Sequence, residues 1–349
     1  MTLPPEVAFG LLLVAMLAWM ALPLIPAFSE LLRPRDAAPL NAVGNDAGQL
    51  TFFAESFARR AMEEGLLGTM VPPRLADGSA VRAHSQASPI RADKKPIREV
   101  VVLMDSSPLP EGAELSSECL ARLTLNGSAS VSYRALLGQR DVTLGPRSTV
   151  LRWVHARGIL DVAEGSQLIG RATSDRQITL APDVTFQRME AGIIRVVGAG
   201  AADVPPATTG VYERFEPGNA DSMGPNYWRV YGDLTIPAGC ALVGSVIATG
   251  DVVVQSGARV TGSLKAHGAL EVQAGAIVTG SCAARARVMI RSGARVGGPI
   301  ISEFAVAIEA AVVGSATVRT TVSAPTIRLL PGAVVYGAVM AAEDGKTTH

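Results

Sequence analysis

Residues 250–285 read GDVVVQSGARVTGSLKAHGALEVQAGAIVTGSCAAR, in which one pattern is written twice in a row. The pattern continues on both sides of this stretch. Its apolar triplets start 18 residues apart without a slip over five units, at Leu234, Val252, Leu270, Val288 and Val306. A fixed repeat of this kind is typical of a solenoid, in which each unit buries its apolar face only against its neighbours.

A shorter period of six lies within each repeat. Two columns of residues are obtained by reading the sequence in steps of six, one from Leu234 to Val306 and one from Ile236 to Ile308. All their members are apolar except Ser302. Because alternate side chains of a strand share a face, both columns are expected to point inward. Three short strands per repeat predict an all-β, three-faced β-helix with about 18 residues per coil.

Glycine recurs once per coil in each of two further columns. One column contains Gly239, Gly257, Gly275 and Gly293, and the other contains Gly244, Gly262, Gly280 and Gly298. A glycine at the same point of every coil indicates a bend that a side chain would obstruct.

The repeat is looser upstream, where Val142 precedes Leu160 by 18 residues and Ile178 and Ile194 open similar triplets. We therefore expect an irregular half of the solenoid over residues 99–197. The regular half is expected over residues 233–342, followed by a tail at 343–349.

Residues 198–232 separate the two halves and have no period, so they are expected to form an insertion loop. The loop is rich in aromatic residues. It either packs on the solenoid or recognises a partner. Its candidate partner-binding residues are Tyr212, Phe215, Tyr227 and Trp228.

The first 35 residues are predicted to anchor the chain in a membrane. Residues 7–28 carry no charged side chain, and a spanning helix needs roughly 20 apolar residues. Arg33 and Arg35 follow, and positively charged flanks stay in the cytoplasm. We therefore expect a single-pass helix with the β-helix on the cytoplasmic side; Pro23 and Pro26 leave a shallow hairpin as the alternative.

Residues 36–98 are predicted to be a linker, with a short amphipathic helix at about 49–67 and a flexible tether after it. In the helix, Phe53, Phe57 and Ala61 recur at i, i+4 and i+8. The helix either packs on the domain behind it or docks on a membrane or partner. Phe53 and Phe57 are therefore candidate partner-binding residues.

The regular half resembles the bactofilins, a family of polymer-forming cytoskeletal proteins. The resemblance is carried by the segments VVVQSGARVTGSLKA, LEVQAGAIVTGSCAA and VMIRSGARVGGPIIS. It implies a β-helix whose ends join head to tail without a nucleotide, in filaments that line the bacterial inner membrane. The implied partners are further copies of the chain and membrane machinery for cell-envelope or exopolysaccharide synthesis. The upstream half and the aromatic segment depart from the family pattern, and an extra half that capped one end would make a non-polymerising accessory subunit.

The last coil is a candidate assembly interface on physical grounds as well. A solenoid end is a sheet edge of unpaired backbone groups, which is a template for another copy unless it is capped. A head-to-tail contact that does not close produces a filament. No capping helix follows TIRLLPGAVVYGAVMAA, so the candidate interface residues are Ile327, Leu329, Val334, Tyr336 and Val339.

A second candidate surface is a local group of basic residues. It is either a solvated face that discourages sheet stacking or a dock for an acidic partner or anionic lipid. Over the whole chain the 31 Lys and Arg balance the 31 Asp and Glu, so nothing points to nucleic acid. The group consists of Arg285, Arg287, Arg291 and Arg295.

The sequence predicts no enzyme, cofactor or metal. His267, the one histidine of the regular coils, follows the inward Ala266 and should face outward. Hexapeptide-repeat acyltransferases favour glycine after the inward residue, where this chain has Pro237 and Val243. Polysaccharide-degrading β-helices need clustered carboxylates, which the regular coils do not present. The cysteines show no zinc spacing.

Overall fold

The computed structural model of the chain describes residues 50–91, 96–198 and 211–348, with four helical residues near the N-terminus, Gly10, Leu12, Met16 and Trp19. The chain divides into two compact units, Met1–Gln49 and Leu50–His349. The predicted anchor at 7–28 lies outside the described residues except for those four positions. Among the described residues, none of the helices combines the length and the apolar composition that a membrane span requires.

The second unit is a β-solenoid of about 14 turns with about 18 residues per coil, which confirms the fold class read from the repeat. Its described residues contain one helix, α1 (Phe52–Glu63), inside the predicted range 49–67. The upstream strands are β1 (Val81–His84), β2 (Val100–Leu103), β3 (Glu114–Ala121), β4 (Leu125–Asn126), β5 (Ser132–Gly138), β6 (Val142–Leu144), β7 (Thr149–Ala156), β8 (Ile159–Val162), β9 (Gln167–Ser174), β10 (Gln177–Leu180) and β11 (Thr185–Val196).

The downstream half contains nineteen strands, most of them two to four residues long. They are β12 (Glu213–Arg214), β13 (Ala220–Gly224), β14 (Tyr227–Val230), β15 (Leu234–Ile236), β16 (Cys240–Val243), β17 (Ser245–Ala248), β18 (Val252–Val254), β19 (Arg259–Thr261), β20 (Leu264–Ala266), β21 (Leu270–Val272), β22 (Ile277–Val278), β23 (Cys282–Ala284), β24 (Arg287–Ile290), β25 (Arg295–Val296), β26 (Ile300–Ser302), β27 (Ala305–Ile308), β28 (Val312–Val313), β29 (Thr320–Leu329) and β30 (Val334–Thr347).

The upstream half is built from parallel coils whose long strands turn a corner. β3, β5, β7 and β9 each cover two faces, while β4, β6, β8 and β10 stack as the third. The looser sequence repeat still predicts the register correctly. Val142 pairs with Leu160, Leu160 with Ile178, and Ile178 with Ile194, and all four are buried.

The solenoid begins before residue 99. β1 lies within the stretch predicted to be a flexible tether, yet it pairs in parallel with β2. Its last residue, His84, is 2% exposed; the His84 Nδ1 accepts the amide of Ile90, and the Nε2 lies 3.2 Å from the carbonyl of Pro108. The stretch predicted to be a flexible tether therefore contributes an ordered first coil to the solenoid.

The downstream half follows the predicted columns closely. Both inward columns are buried along their length, except that Cys240 in the first regular coil is only half-buried. The polar member, Ser302, is fully satisfied: the hydroxyl of Ser302 donates to the carbonyl of Ala286 and accepts the amides of Phe304 and Ala305, each at 3.0 Å. This bonding explains how a hydroxyl occupies an inward position.

The two glycine columns have different physical causes. Gly257 adopts a left-handed φ of +68°, and there is open space where a side chain would begin. At Gly280, which has no left-handed φ, a Cβ atom would lie 2.4 Å from the carbonyl oxygen of Gly262 in the coil beside it. The first column needs glycine for its backbone conformation, and the second needs it for the close approach of two coils.

The two halves join end to end through their last coils. β11 pairs antiparallel with β30, from Thr185 opposite Lys346 to Arg195 opposite Val334. The predicted tail is part of this junction, because β30 continues to Thr347, which is buried. Each half thus satisfies the open edge of the other, and strand direction reverses where they meet.

The two causes of the glycine columns can be separated by substitution. We expect Gly257→Asn to lower the free energy of unfolding by less than about 1 kcal/mol, because Asn tolerates the left-handed conformation. We expect Gly280→Ala to lower it by about 2 kcal/mol or more, because the coils have to move apart. Urea denaturation followed by circular dichroism measures both. Equal losses would contradict the distinction.

Candidate functional site

The last coil, predicted to be an assembly interface, lies at the junction between the two halves. Ile327, Leu329 and Val339 are buried, and Val334 and Tyr336 are half-buried. Val339 is paired with Met189 of β11. The prediction of an open edge at the last coil is therefore wrong, since the upstream half covers that edge. A head-to-tail contact through this coil is not possible while β11 occupies it.

The opposite end of the downstream half, here called the distal end, is formed by residues 211–236. The predicted insertion loop is in part the first coil: Glu213 pairs with Cys240, and Tyr227 pairs with Ser245. Phe215 and Trp228 pack against the core. All four aromatic candidates, Tyr212, Phe215, Tyr227 and Trp228, are half-buried, so packing accounts for much of their surface.

The outermost strand of the distal end is β13, which pairs antiparallel with β14. The carbonyl of Val230 accepts the amide of Thr249 in the next coil, so Val230 faces away from β13. Because hydrogen-bonded and non-bonded pairs alternate along antiparallel strands, Ala220 and Ser222 direct their backbone groups outward. Among the described strands, the one register that includes β13 is its pairing with β14, so this outer edge has no strand partner there.

Exposed apolar side chains accompany the unpaired edge. Met223 is 53% exposed and Tyr231 is 51% exposed, while Val211 is fully exposed. An unpaired strand edge beside exposed apolar groups is a surface suited to joining another sheet. The sequence analysis missed β13, because Ala220–Gly224 carries no alternation of apolar and polar residues.

The upstream end, formed by the first coil around β1, differs from the distal end in composition. Pro72 and Pro73 precede β1, and Pro89 follows it. A bridge between Arg74 and Ala80 folds the chain back before the strand begins. Proline has no amide hydrogen to offer a neighbouring strand. The upstream end is therefore a poorer template for strand pairing than the distal end.

Two members of the predicted basic group pair with carboxylates of neighbouring coils. Arg291 bonds Glu271 at 2.7 Å and Glu309 at 2.9 Å, and Arg285 lies 3.5 Å from Glu303. The remaining members also differ in exposure: Arg287 is exposed and Arg295 is half-buried. The structure thus does not present these four residues as one open cationic surface.

Helix α1 packs on the outer face of the upstream half. Phe57 is 6% exposed, and the centroid of its ring lies 5.9 Å from that of Trp153. Gly65, with a φ of +75°, ends the helix. Phe53 is 48% exposed and lies at the rim of this contact. Of the two candidate phenylalanines, Phe57 is a core residue and Phe53 is available at the surface.

A buried histidine lies beside the other edge of α1. His155 is 6% exposed; the His155 Nδ1 lies 2.9 Å from Thr173 Oγ1 and the Nε2 lies 3.6 Å from Asp175 Oδ1. Burial lowers the pKa of His155, and Arg157 lowers it further, whereas the carboxylates of Asp175 and Glu55 act in the opposite direction. The neutral imidazole is favoured in the fold.

Other reactive side chains are dispersed. His267 is exposed, as predicted. Cys119, Cys240 and Cys282 are free thiols, and burial raises the pKa of Cys282 to about 12. Across the described ranges, no three His, Cys, Asp or Glu side chains are grouped as a metal site requires.

Comparison with known proteins adds no relative. No family model, curated protein or solved structure matches the chain. A function therefore has to account for three features of the solenoid. Its two halves are joined at the β11–β30 junction, the β13 edge at the distal end is unpaired among the described residues, and α1 packs on one face of the upstream half.

The buried histidine predicts a pH dependence of stability. Below about pH 6.5, the ordinary pKa of histidine, the unfolded chain takes up a proton that folded His155 resists. We therefore expect the free energy of unfolding to fall as the pH is lowered through this range, and to fall less in His155→Gln. Urea denaturation at a series of pH values is the measurement, with the exposed His267→Gln as the matched control. Identical slopes for His155→Gln and the unsubstituted chain would contradict the assignment.

Proposed function

We propose that the chain is a non-enzymatic structural scaffold of the bactofilin kind, which assembles through the distal end of its solenoid. The proposal combines the resemblance of the regular half with the geometry of the ends. As a scaffold it would be held at the bacterial inner membrane by the segment at 7–28. There it would position machinery for cell-envelope or exopolysaccharide synthesis.

One observation carries the self-assembly part of this proposal. The β11–β30 junction is an instance, within one chain, of two solenoid ends joined by backbone pairing along their outer strands. The distal end offers the same kind of unpaired strand, β13, to a second copy. A copy related by a two-fold axis would pair its own β13 antiparallel with this one.

The junction also favours a second candidate function. Because the last coil is already covered by the upstream half, one of the two ends expected to polymerise is blocked. A chain of this kind would be a non-polymerising accessory subunit of a membrane polysaccharide-synthesis complex if the distal end does not self-associate. The two candidates therefore differ in what β13 binds.

Negative-stain electron microscopy of the full chain in non-ionic detergent, without added nucleotide, tests the assembly. We expect pairs of rods joined end to end, because a two-fold contact closes on itself. Met223→Lys should yield single rods, because it adds a charge beside the outward edge of β13. Val243→Lys is the matched control, since Val243 is 43% exposed on the side of the second coil, and it should leave the joined rods intact.

Two results would contradict the assembly. Single rods at every protein concentration would favour the accessory subunit. Loss of joined rods in both lysine variants would mean that added charge, and not the β13 edge, controls association.

A further inference from the structure

A groove lies between α1 and the outer face of the upstream half, with a cavity volume of about 680 Å3. On the helix side it is lined by Phe53, Ser56 and Phe57. On the solenoid side its lining includes three arginines. The solenoid residues that matter here are Arg152, Trp153, Gly170, Arg171, Gln187 and Arg188.

Stacking of the coils brings the arginines to this groove. Trp153 pairs with Arg171, and Arg171 pairs with Arg188. Trp153, Arg171 and Arg188 therefore form one column on consecutive coils, which are about 4.8 Å apart. Arg152 precedes Trp153 on β7. At Gly170 a Cβ atom would lie 1.9 Å from the carbonyl oxygen of Arg152. No side chain can therefore fill the groove at position 170.

The other charges that line the groove already have partners. Arg60 pairs with Glu64 at 2.8 Å and with Asp77 at 2.7 Å. Glu118 pairs with Arg134 at 3.0 Å. Because both side chains are already paired, Arg60 and Glu118 do not add to the net charge of the groove.

The three remaining arginines have no carboxylate or carbonyl partner among the described residues. Arg171 is held over the ring of Phe53, with its guanidinium carbon 4.9 Å from the ring centroid. Its Nη1 is buried and has no hydrogen-bond acceptor. A buried donor without an acceptor costs free energy, more so when it is charged. The groove thus has three uncompensated positive charges, and the Nη1 of Arg171 among them lacks an acceptor.

We propose that this groove binds a phosphate monoester of a small organic molecule. Guanidinium groups bind phosphate through pairs of N–H···O bonds. A phosphate monoester carries close to two negative charges and three terminal oxygens, so it can bond more than one arginine, whereas a carboxylate has one charge and two oxygens. The cavity volume lies within the roughly 300–1,000 Å3 of small-molecule sites. The exposed part of Phe53 offers an apolar contact for the organic portion.

The phosphate could belong to a soluble metabolite or to a lipid headgroup, and titration calorimetry of the full chain in non-ionic detergent distinguishes the two. Glycerol 3-phosphate in buffer is the soluble probe, and short-chain phosphatidic acid in the same micelles is the lipid probe. Succinate, a dicarboxylate of similar charge, tests the preference for phosphate. Saturable binding of either phosphate probe, tighter than that of succinate, is the expected result.

Variants locate the binding. We expect Arg171→Gln to weaken phosphate binding by about tenfold or more, since it removes a charge-assisted hydrogen bond. Arg188→Gln, at an exposed position of the same groove, gives a second test if Arg171→Gln does not fold. Arg287→Gln removes the same charge from an exposed site in the downstream half and should leave the affinity unchanged.

Three results would overturn the proposal. They are no saturable binding of either phosphate probe, equal affinity for succinate, and an equal loss of affinity in Arg287→Gln and the groove variants. The last would mean that the whole surface attracts anions and that the groove has no special part in it.

Discussion

Backbone hydrogen bonds between successive coils are the interaction on which this structure depends. The amide of Gln255 bonds the carbonyl of Ile236, that of Gln273 bonds Val254, and that of Arg291 bonds Val272, so each coil is completed by the one before it. A terminal coil consequently has an unpaired edge wherever the stack stops. The chain meets this constraint at the β11–β30 junction, where each half covers the edge of the other, whereas among the described residues the outer edge of β13 stays unpaired.

The downstream coils from Leu234 to Ile308 could be predicted from the sequence because paired residues there are always 18 apart, so columns in the sequence are columns in space. Beyond Ile308 the offset changes, as between Val306 and Ile327, and the period ends. Upstream, the register shifts between Leu115 and Glu118 and between Tyr133 and Ala135, where the long strands turn a corner. These shifts blur the period without ending the solenoid. The junction had no sequence signal at all, since antiparallel pairing between distant segments leaves no local period.

The candidate sites show the same limit. Local counting of positive charges singled out the basic group, but the carboxylates that pair with Arg291 come from the coils before and after it. Conversely, Arg171 follows Trp153 by one coil length, and their proximity is visible only once the register is known. Helical periodicity placed Phe53 and Phe57 on one face, whereas their different burial depends on where α1 contacts the solenoid.

The junction has a consequence for synthesis of the chain. β11 is complete long before β30, because the whole downstream half is translated between them. At roughly 5–20 residues per second, the exposed edge of β11 waits on the order of ten seconds for the strand that covers it. During that time, two nascent chains on neighbouring ribosomes of one mRNA both expose the edge of β11. Ribosomes that pause late in the message would therefore favour pairing between neighbours over closure within one molecule.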